Sequence, residues 1–188
     1  MNTYVVFIRG INVGGKNIVS MAGLRTCLEK QGFSNVSTYI ASGNVILRSG
    51  QRADQVKAQI EAALPENFKL HDELIKVWVL THQQLQAVID NKPEGFGEQP
   101  EMYHSDAIFL IGIDAAQAMS AFDPREGVDK VWPGDGVIYS QRLSSQRTKS
   151  RLNKIMVTPL YKSMTIRNWN TTTKLLEILK KMETENPA

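Results

Sequence analysis

Two apolar runs, Val36 to Ile40 and Asn44 to Leu47, are separated only by Ala41-Ser42-Gly43. A connection that short forces an antiparallel hairpin, because a parallel return needs a crossover of a dozen or more residues. The strands beside it therefore cannot belong to the parallel, doubly wound sheets on which nucleotide hydrolases are built. A second hairpin is expected where Lys130 to Trp132 and Val137 to Gln141 flank Pro133-Gly134-Asp135-Gly136. The segments 39–46 and 131–138 align, sharing a glycine-polar turn and a Val-Ile start to the return strand.

The pattern around each hairpin is the same. Tyr4 to Ile8 is a strand. Ser20 to Gln31 places Met21, Leu24, Cys27 and Leu28 on one helical face, closed by Gly32. After the first hairpin, Ala53 to Leu64 reads as a helix stopped by Pro65, and Leu74 to Leu80 as a strand. Thr81 and Gln84 have capping-box spacing for a connecting helix to about Asp90, and a Pro/Gly-rich linker, Lys92 to Pro100, follows. Then come a strand, Ala107 to Ile113, a short helix, Asp114 to Phe122, the second hairpin, a basic helix, Ser145 to Met156, and a strand, Met164 to Arg167. An amphipathic helix, Thr171 to Met182, closes the chain. The expected fold is α+β, a tandem duplication of two ferredoxin-like β-α-β-β-α-β units with antiparallel sheets and an extra C-terminal helix. Residues 1–80 form the first unit, 81–103 a connector, and 104–188 the second unit with its helix.

With 188 residues, 42% of them hydrophobic, the chain can bury a substantial core. It has no apolar run near the roughly 20 residues of a membrane helix and no signal-peptide layout, so a cytoplasmic protein without a membrane partner is expected. The single cysteine, Cys27, excludes an internal disulfide and has core spacing. Charge is uneven: residues 1–140 carry a net −4 and residues 141–188 a net +7. The basic part includes Arg142, Arg147, Lys149, Arg151, Lys154, Lys162 and Arg167, which suits either an acidic partner or a solvated helix face.

Between the first strand and first helix lies Gly10-Ile11-Asn12-Val13-Gly14-Gly15-Lys16-Asn17, one residue short of G-x-x-x-x-G-K-[ST]. Asn17 stands where the magnesium-binding hydroxyl should be, and the best helix start, Ser20, falls four residues past Lys16. Asp114, in the place of a metal-binding aspartate, reads better as an N-cap with Gln117. P-loop chemistry is therefore not expected. Gly10, Gly14 and Gly15 can still aim several backbone N–H groups at one anion, with Arg9 and Lys16 adding charge. The same residues equally suit a structural corner capped by Asn17 or Ser20.

The other dense polar stretch runs from Thr165 to Thr173. Asn170 or Thr171 could cap the last helix there, with Trp169 anchored among apolar groups; alternatively Arg167 and Asn168 face a ligand and Trp169 stacks on it. His71, His82 and His104 lack metal spacing, and no Ser-His-Asp or H-E-x-x-H pattern occurs. The strand Gly43 to Arg48 lacks the stacking aromatics of an RNA-recognition domain.

The stretches Arg9 to Gly15, Tyr39 to Val45 and Thr165 to Thr171 resemble a bacterial family catalogued as domain of unknown function 1697. The resemblance implies a small α+β protein with two ferredoxin-like halves, and no assigned activity, substrate or catalytic residue. Relatives often place an aromatic in the return strand after Gly43-Asn44; here it is Val45-Ile46-Leu47.

The expected function is binding of a phosphate-bearing small molecule or nucleic acid. The candidate residues are Arg9, Gly10, Asn12, Gly14, Gly15, Lys16, Ser42, Asn44, Arg167, Asn168, Trp169 and Asn170. No cofactor or metal is expected. The alternatives are an acylphosphatase-like phosphohydrolase using Arg9 and Asn44, and a protein-interaction scaffold whose motif loops are filled by their own side chains.

Overall fold

Strand β1 (Asn2–Arg9) is apolar from Tyr4 to Ile8 without alternation, and all five of those residues are buried. Such a strand needs cover on both faces and neighbours on both edges. It has antiparallel partners on each side, β3 (Asn44–Ser49) and β4 (Lys76–Thr81), and β2 (Ser34–Tyr39) completes the sheet in the order β2-β3-β1-β4. Helices α1 (Met21–Lys30) and α2 (Ala53–Asn67) place Leu24, Leu28, Val56, Ile60 and Leu64 against Tyr4, Val6, Ile8, Val45 and Leu47. This model, a computed structural one, describes residues 1–70 and 75–185.

A second four-stranded antiparallel sheet repeats that order with β5 (Tyr103–Leu110), β6 (Asp129–Pro133), β7 (Val137–Leu143) and β8 (Met164–Asn168), arranged β6-β7-β5-β8. Ile108, Ile138 and Met164 form its core with Ala118 of the short helix α4 (Ala115–Met119) and with Ile155. Helix α3 (His82–Asp90) links the halves in sequence, and α5 (Trp169–Glu185) closes the chain. The molecule is thus α+β, with two antiparallel sheets and a C-terminal helix, consistent with two repeated units. Its packing divides it into Met1–Gln86 with Lys174–Ala188, and Ala87–Thr173.

Helix starts follow the polar residues that cap them. Ser20 Oγ accepts the Gly23 N–H at 3.0 Å. Thr81 and Gln84 exchange side-chain and backbone hydrogen bonds, as do Asp114 and Gln117. In both sheets the hairpin glycine carbonyl accepts from the central strand: Ile8 N–H to Gly43 O (2.8 Å) and Leu110 N–H to Gly136 O (2.9 Å). Gly43 therefore corresponds to Gly136, one place along from the pairing suggested by sequence alone.

Several expected elements differ from those observed. Pro65 lies inside α2, which continues to Asn67. The proline removes one N–H near the end of the helix, and Leu64 O still accepts the Phe68 N–H at 3.0 Å. Strand β5 begins at Tyr103, four residues before its expected start, because the polar stretch Tyr103 to Asp106 pairs with Ser140 to Leu143. The basic helix expected over 145–156 is absent. Residues 144–163 form three successive 3₁₀ turns, Ser144–Lys149, Leu152–Val157 and Pro159–Ser163. Arg147, Lys149, Arg151 and Lys154 repel one another with no acidic residue in the segment to offset them, and Pro159 closes off propagation. Finally, α5 starts at Trp169, not at Thr171. Its entry is set by Asn168, whose Oδ1 accepts the Asn170 N–H at 3.0 Å. The expected starting residue of β4, Leu74, and His71 lie outside the described residues.

Candidate functional site

The glycine-rich loop is a small hairpin closed by two asparagines. Asn12 clasps the backbone of Val19 from both sides, Nδ2 donating to Val19 O at 2.9 Å and Oδ1 accepting from Val19 N–H at 2.8 Å. Asn17 Nδ2 donates to Gly10 O at 2.8 Å, and the Asn12 N–H donates to Asn17 O at 3.1 Å. Between the asparagines, Val13 and Lys16 form an isolated bridge across Gly14 and Gly15, whose φ values of 59° and 75° are those of a type I′ turn. The buried side chains of Ile11 and Val19 root the loop in the core, while Val13 and Ile18 are 67% and 69% exposed. A phosphate cradle needs amides converging on open space at a helix start. Here the Asn12, Lys16 and Val19 amides are bonded within the loop, and α1 opens at Met21, well past Lys16.

This clasp makes a direct prediction. Asn12→Ala removes both bonds to Val19 and leaves a Cβ-bearing residue without its side-chain support at φ 55°. A loss of about 2 kcal/mol is expected, measured by denaturant midpoint. Asn12→Gly relieves the backbone cost and should lose less; equal losses would show that the hydrogen bonds carry the whole effect.

The hairpin after β2 is closed in the same manner. Asn44 is fully buried and its Nδ2 donates to Ser42 Oγ (2.8 Å) and Tyr39 O (3.2 Å), so its NH2 is spent on its own turn, while the buried Oδ1 has no hydrogen-bond partner among the described residues. Asn44 pairs with Phe7, while Arg9, at the end of β1, pairs with Lys76 of β4. Ile40 stands at the tip, 53% exposed and at φ 48°, a left-handed conformation unusual for a β-branched residue.

The third motif is arranged differently. The Arg167 guanidinium donates to Ile166 O at 2.9 Å, and burial lowers its pKa to about 10, which leaves it charged at neutral pH. Asn168 is the hub: besides Asn170 N–H, it binds Ser105 O through Nδ2 (3.3 Å), and its carbonyl accepts the Thr172 hydroxyl (3.1 Å). Trp169 is buried edge-on against Phe96, with centroids 4.9 Å apart, and near Tyr139, whose hydroxyl donates to Val88 O at 2.6 Å. Desolvation pushes the Tyr139 phenol up to about 12.

Asn168, Trp169 and Asn170 border a polar cleft of about 80 Å³, together with Tyr103, His104 and Ser105. His104 Nε2 lies 3.1 Å from the Asp106 carboxylate, and Arg142 Nη1 is 3.9 Å from the same group. Asp106 thereby orients the imidazole and leaves Nδ1 as its other polar edge. Sequence reasoning missed the pairing of His104 with Asp106 because it began β5 at Ala107. The available signal was spacing: His104 and Asp106 are two apart and so share a strand face. Eleven of the twelve candidates thus fall into two sets. Arg9 to Asn44 belong to the two closed turns of the first unit and the strand ends beside them, and Asn168 to Asn170 to the cleft of the second; Arg167, whose guanidinium is bonded to Ile166 O, does not line the cleft.

Fold and site together define a small α+β protein with two four-stranded antiparallel sheets, two asparagine-closed loops and a polar cleft beside His104. The chain belongs to the family described as Protein of unknown function (DUF1697), whose model matches residues 1–139. That match includes the first two motif loops and His104, and ends before 165–171. A similar solved structure is that of the conserved bacterial protein SP0830 from Streptococcus pneumoniae. It is 27% identical, with a TM-score of 0.78, over 95% of this chain and 98% of that one. No curated protein matches. Among the described residues no helix is long and apolar enough to cross a membrane, and no group of three or more His, Cys, Asp or Glu could hold a metal ion.

Proposed function

We propose that the chain binds a small molecule through an anionic group, of which phosphoryl is the best fit, at the cleft beside His104. The observation that carries this reading is the convergence there of three features: an imidazole oriented by Asp106, the exposed side chain of Asn170 held in place by Asn168, and the first turn of α5. A helix N-terminus favours negative charge, and a protonated His104 would add to it. The small volume admits one such group and leaves the rest of the ligand outside, against Tyr103. The glycine-rich loop is the weaker candidate, since Asn12 and Asn17 already use its polar groups. Phosphohydrolase chemistry by Arg9 and Asn44 is weaker still, because the Asn44 NH2, the donor such a role needs, is turned into its hairpin.

Melting curves at low salt with inorganic phosphate, acetyl phosphate and a nucleotide panel test this directly. A saturable upward shift is expected, weakened about tenfold in apparent affinity by His104→Gln, a loss of roughly 1.4 kcal/mol. No shift at millimolar ligand would overturn the reading.

A protein-interaction role is the second reading. It is favoured by Val13, Ile18 and Ile40, exposed apolar residues held on stapled turns. We also infer that the two sheets descend from a duplicated ferredoxin-like unit, with repeats near 1–80 and 104–188, since both follow one strand order and one hairpin register. The protein is read as cytoplasmic.

A further inference from the structure

Residues 144–163 carry five cations, Arg147, Lys149, Arg151, Lys154 and Lys162, and no Asp or Glu. The corresponding connection in the first sheet is the regular helix α2, with acidic and basic residues mixed. In the second sheet it is a strap of 3₁₀ turns. The strap starts beside the cleft, where the Ser144 N–H donates to Met102 O at 2.9 Å, and ends beyond the other end of β5, where Ser163 O accepts the Ile111 N–H at 3.0 Å. It therefore runs the length of β5, about 25 Å at the usual rise per strand residue.

The strap is held from beneath. Ile155 enters the core with Ile108, Ile138 and Met164. Asp129, itself buried, accepts the backbone N–H groups of Arg125 (3.0 Å) and Arg151 (2.8 Å), and the Arg125 guanidinium donates to Lys149 O at 3.2 Å. Asp123 pairs with Arg151 and Lys154, and those two cations hold its carboxyl below the usual range. Arg147, Lys149 and Lys162 are exposed and have no carboxylate partner among the described residues. Ser144, Ser145, Gln146, Thr148 and Asn153 interleave hydrogen-bonding groups with the charges.

We infer that this strap is a docking surface for the phosphodiester backbone of nucleic acid, read without regard to sequence. Fixed cations alternating with hydroxyl and amide groups match a row of phosphate oxygens. About 25 Å is the axial span of roughly seven phosphates along one strand of a B-form duplex. An anionic lipid surface is the less suited partner. Met156 and Val157 are the large exposed apolar side chains on the strap, with Pro159 beside them, too little to anchor a segment without helical amphipathicity. This surface is independent of the cleft proposed above.

Fluorescence anisotropy with a labelled mixed-sequence oligonucleotide, single-stranded and duplex, tests the inference on the full chain. Binding is expected to weaken about 20- to 40-fold between about 50 and 200 mM salt, as neutralisation of some three phosphates requires. The triple variant Arg147→Glu, Lys149→Glu, Lys162→Glu should abolish it. The Gln version of the same triple, gentler to the fold, should weaken it at least about fivefold. Both variants should keep the melting shift given by inorganic phosphate, which separates failure of the strap from failure of the cleft. Absence of binding at about 50 mM salt, a Gln triple that binds like wild type, or tighter binding to phosphatidylserine vesicles than to oligonucleotide would each overturn the inference.

Discussion

Gly43→Ala is expected to destabilise the first unit by about 3 kcal/mol or more, seen as a lowered denaturant midpoint. Two costs combine. Gly43 has φ +72°, and a Cβ there would lie 2.4 Å from the carbonyl oxygen of Ile8 and 3.2 Å from its carbonyl carbon. The obstacle is the backbone of the buried residue Ile8 in a central strand, so it cannot swing aside as a side-chain tip could. Withdrawing the hairpin instead would break the 2.8 Å bond from Ile8 N–H to Gly43 O. Gly15→Ala is the matched control. Its φ of +75° is nearly the same, but nothing lies within 4 Å of the added carbon, so it should lose only the conformational part, about 1–2 kcal/mol. If both variants melt alike, the close approach at Gly43 has no energetic weight.

Phe96→Ala should have a comparable effect on the second unit, about 3–5 kcal/mol. Phe96 is fully buried and meets three aromatic rings edge-on: Trp169 at 4.9 Å, Tyr139 at 5.2 Å and Trp132 at 6.0 Å. Each T-shaped contact adds to the burial term, and the cavity left among rigid rings cannot readily collapse. Because Trp169 walls the cleft, tryptophan fluorescence should change and the phosphate-induced melting shift should shrink. Phe96→Leu refills part of the volume and should recover about half the loss. A Phe96→Ala cost below about 1 kcal/mol would show that the second unit does not depend on this cluster.

Phe96 also illustrates where sequence reasoning stops. It sits in Lys92 to Pro100, a stretch with two glycines or prolines on each side of it and every local sign of a linker. Only the three rings that converge on it, from β6, β7 and the start of α5, make it a core residue. His104 was obscured for a related reason. A polar run, Tyr103-His104-Ser105-Asp106, has no apolar pattern to announce a strand, yet it pairs along its full length with β7. The basic segment was misread in the opposite direction: its composition fits a helix, but mutual repulsion and the anchors at Asp129 and Ile155 favour short 3₁₀ turns. Caps were more legible. Ser20, Thr81 with Gln84, and Asp114 with Gln117 act within one turn of chain, so their geometry is contained in their spacing.

Local chemistry by itself therefore determined the hairpins, the helix starts capped by Ser20, Thr81 and Asp114, the antiparallel character of the sheets and the exclusion of a P-loop, because each depends on residues a few positions apart. Tertiary structure alone decided what the motif residues do. It joined Asn12 to Val19 and Asn17 to Gly10, closing the loop that resembled a phosphate cradle, and it brought Asn168 and Asn170 to His104 across more than sixty residues. Hydrogen-bonding capacity belongs to a residue type, but the partner that uses it is chosen by the register of strands, and register is set by which apolar faces the whole sheet must bury.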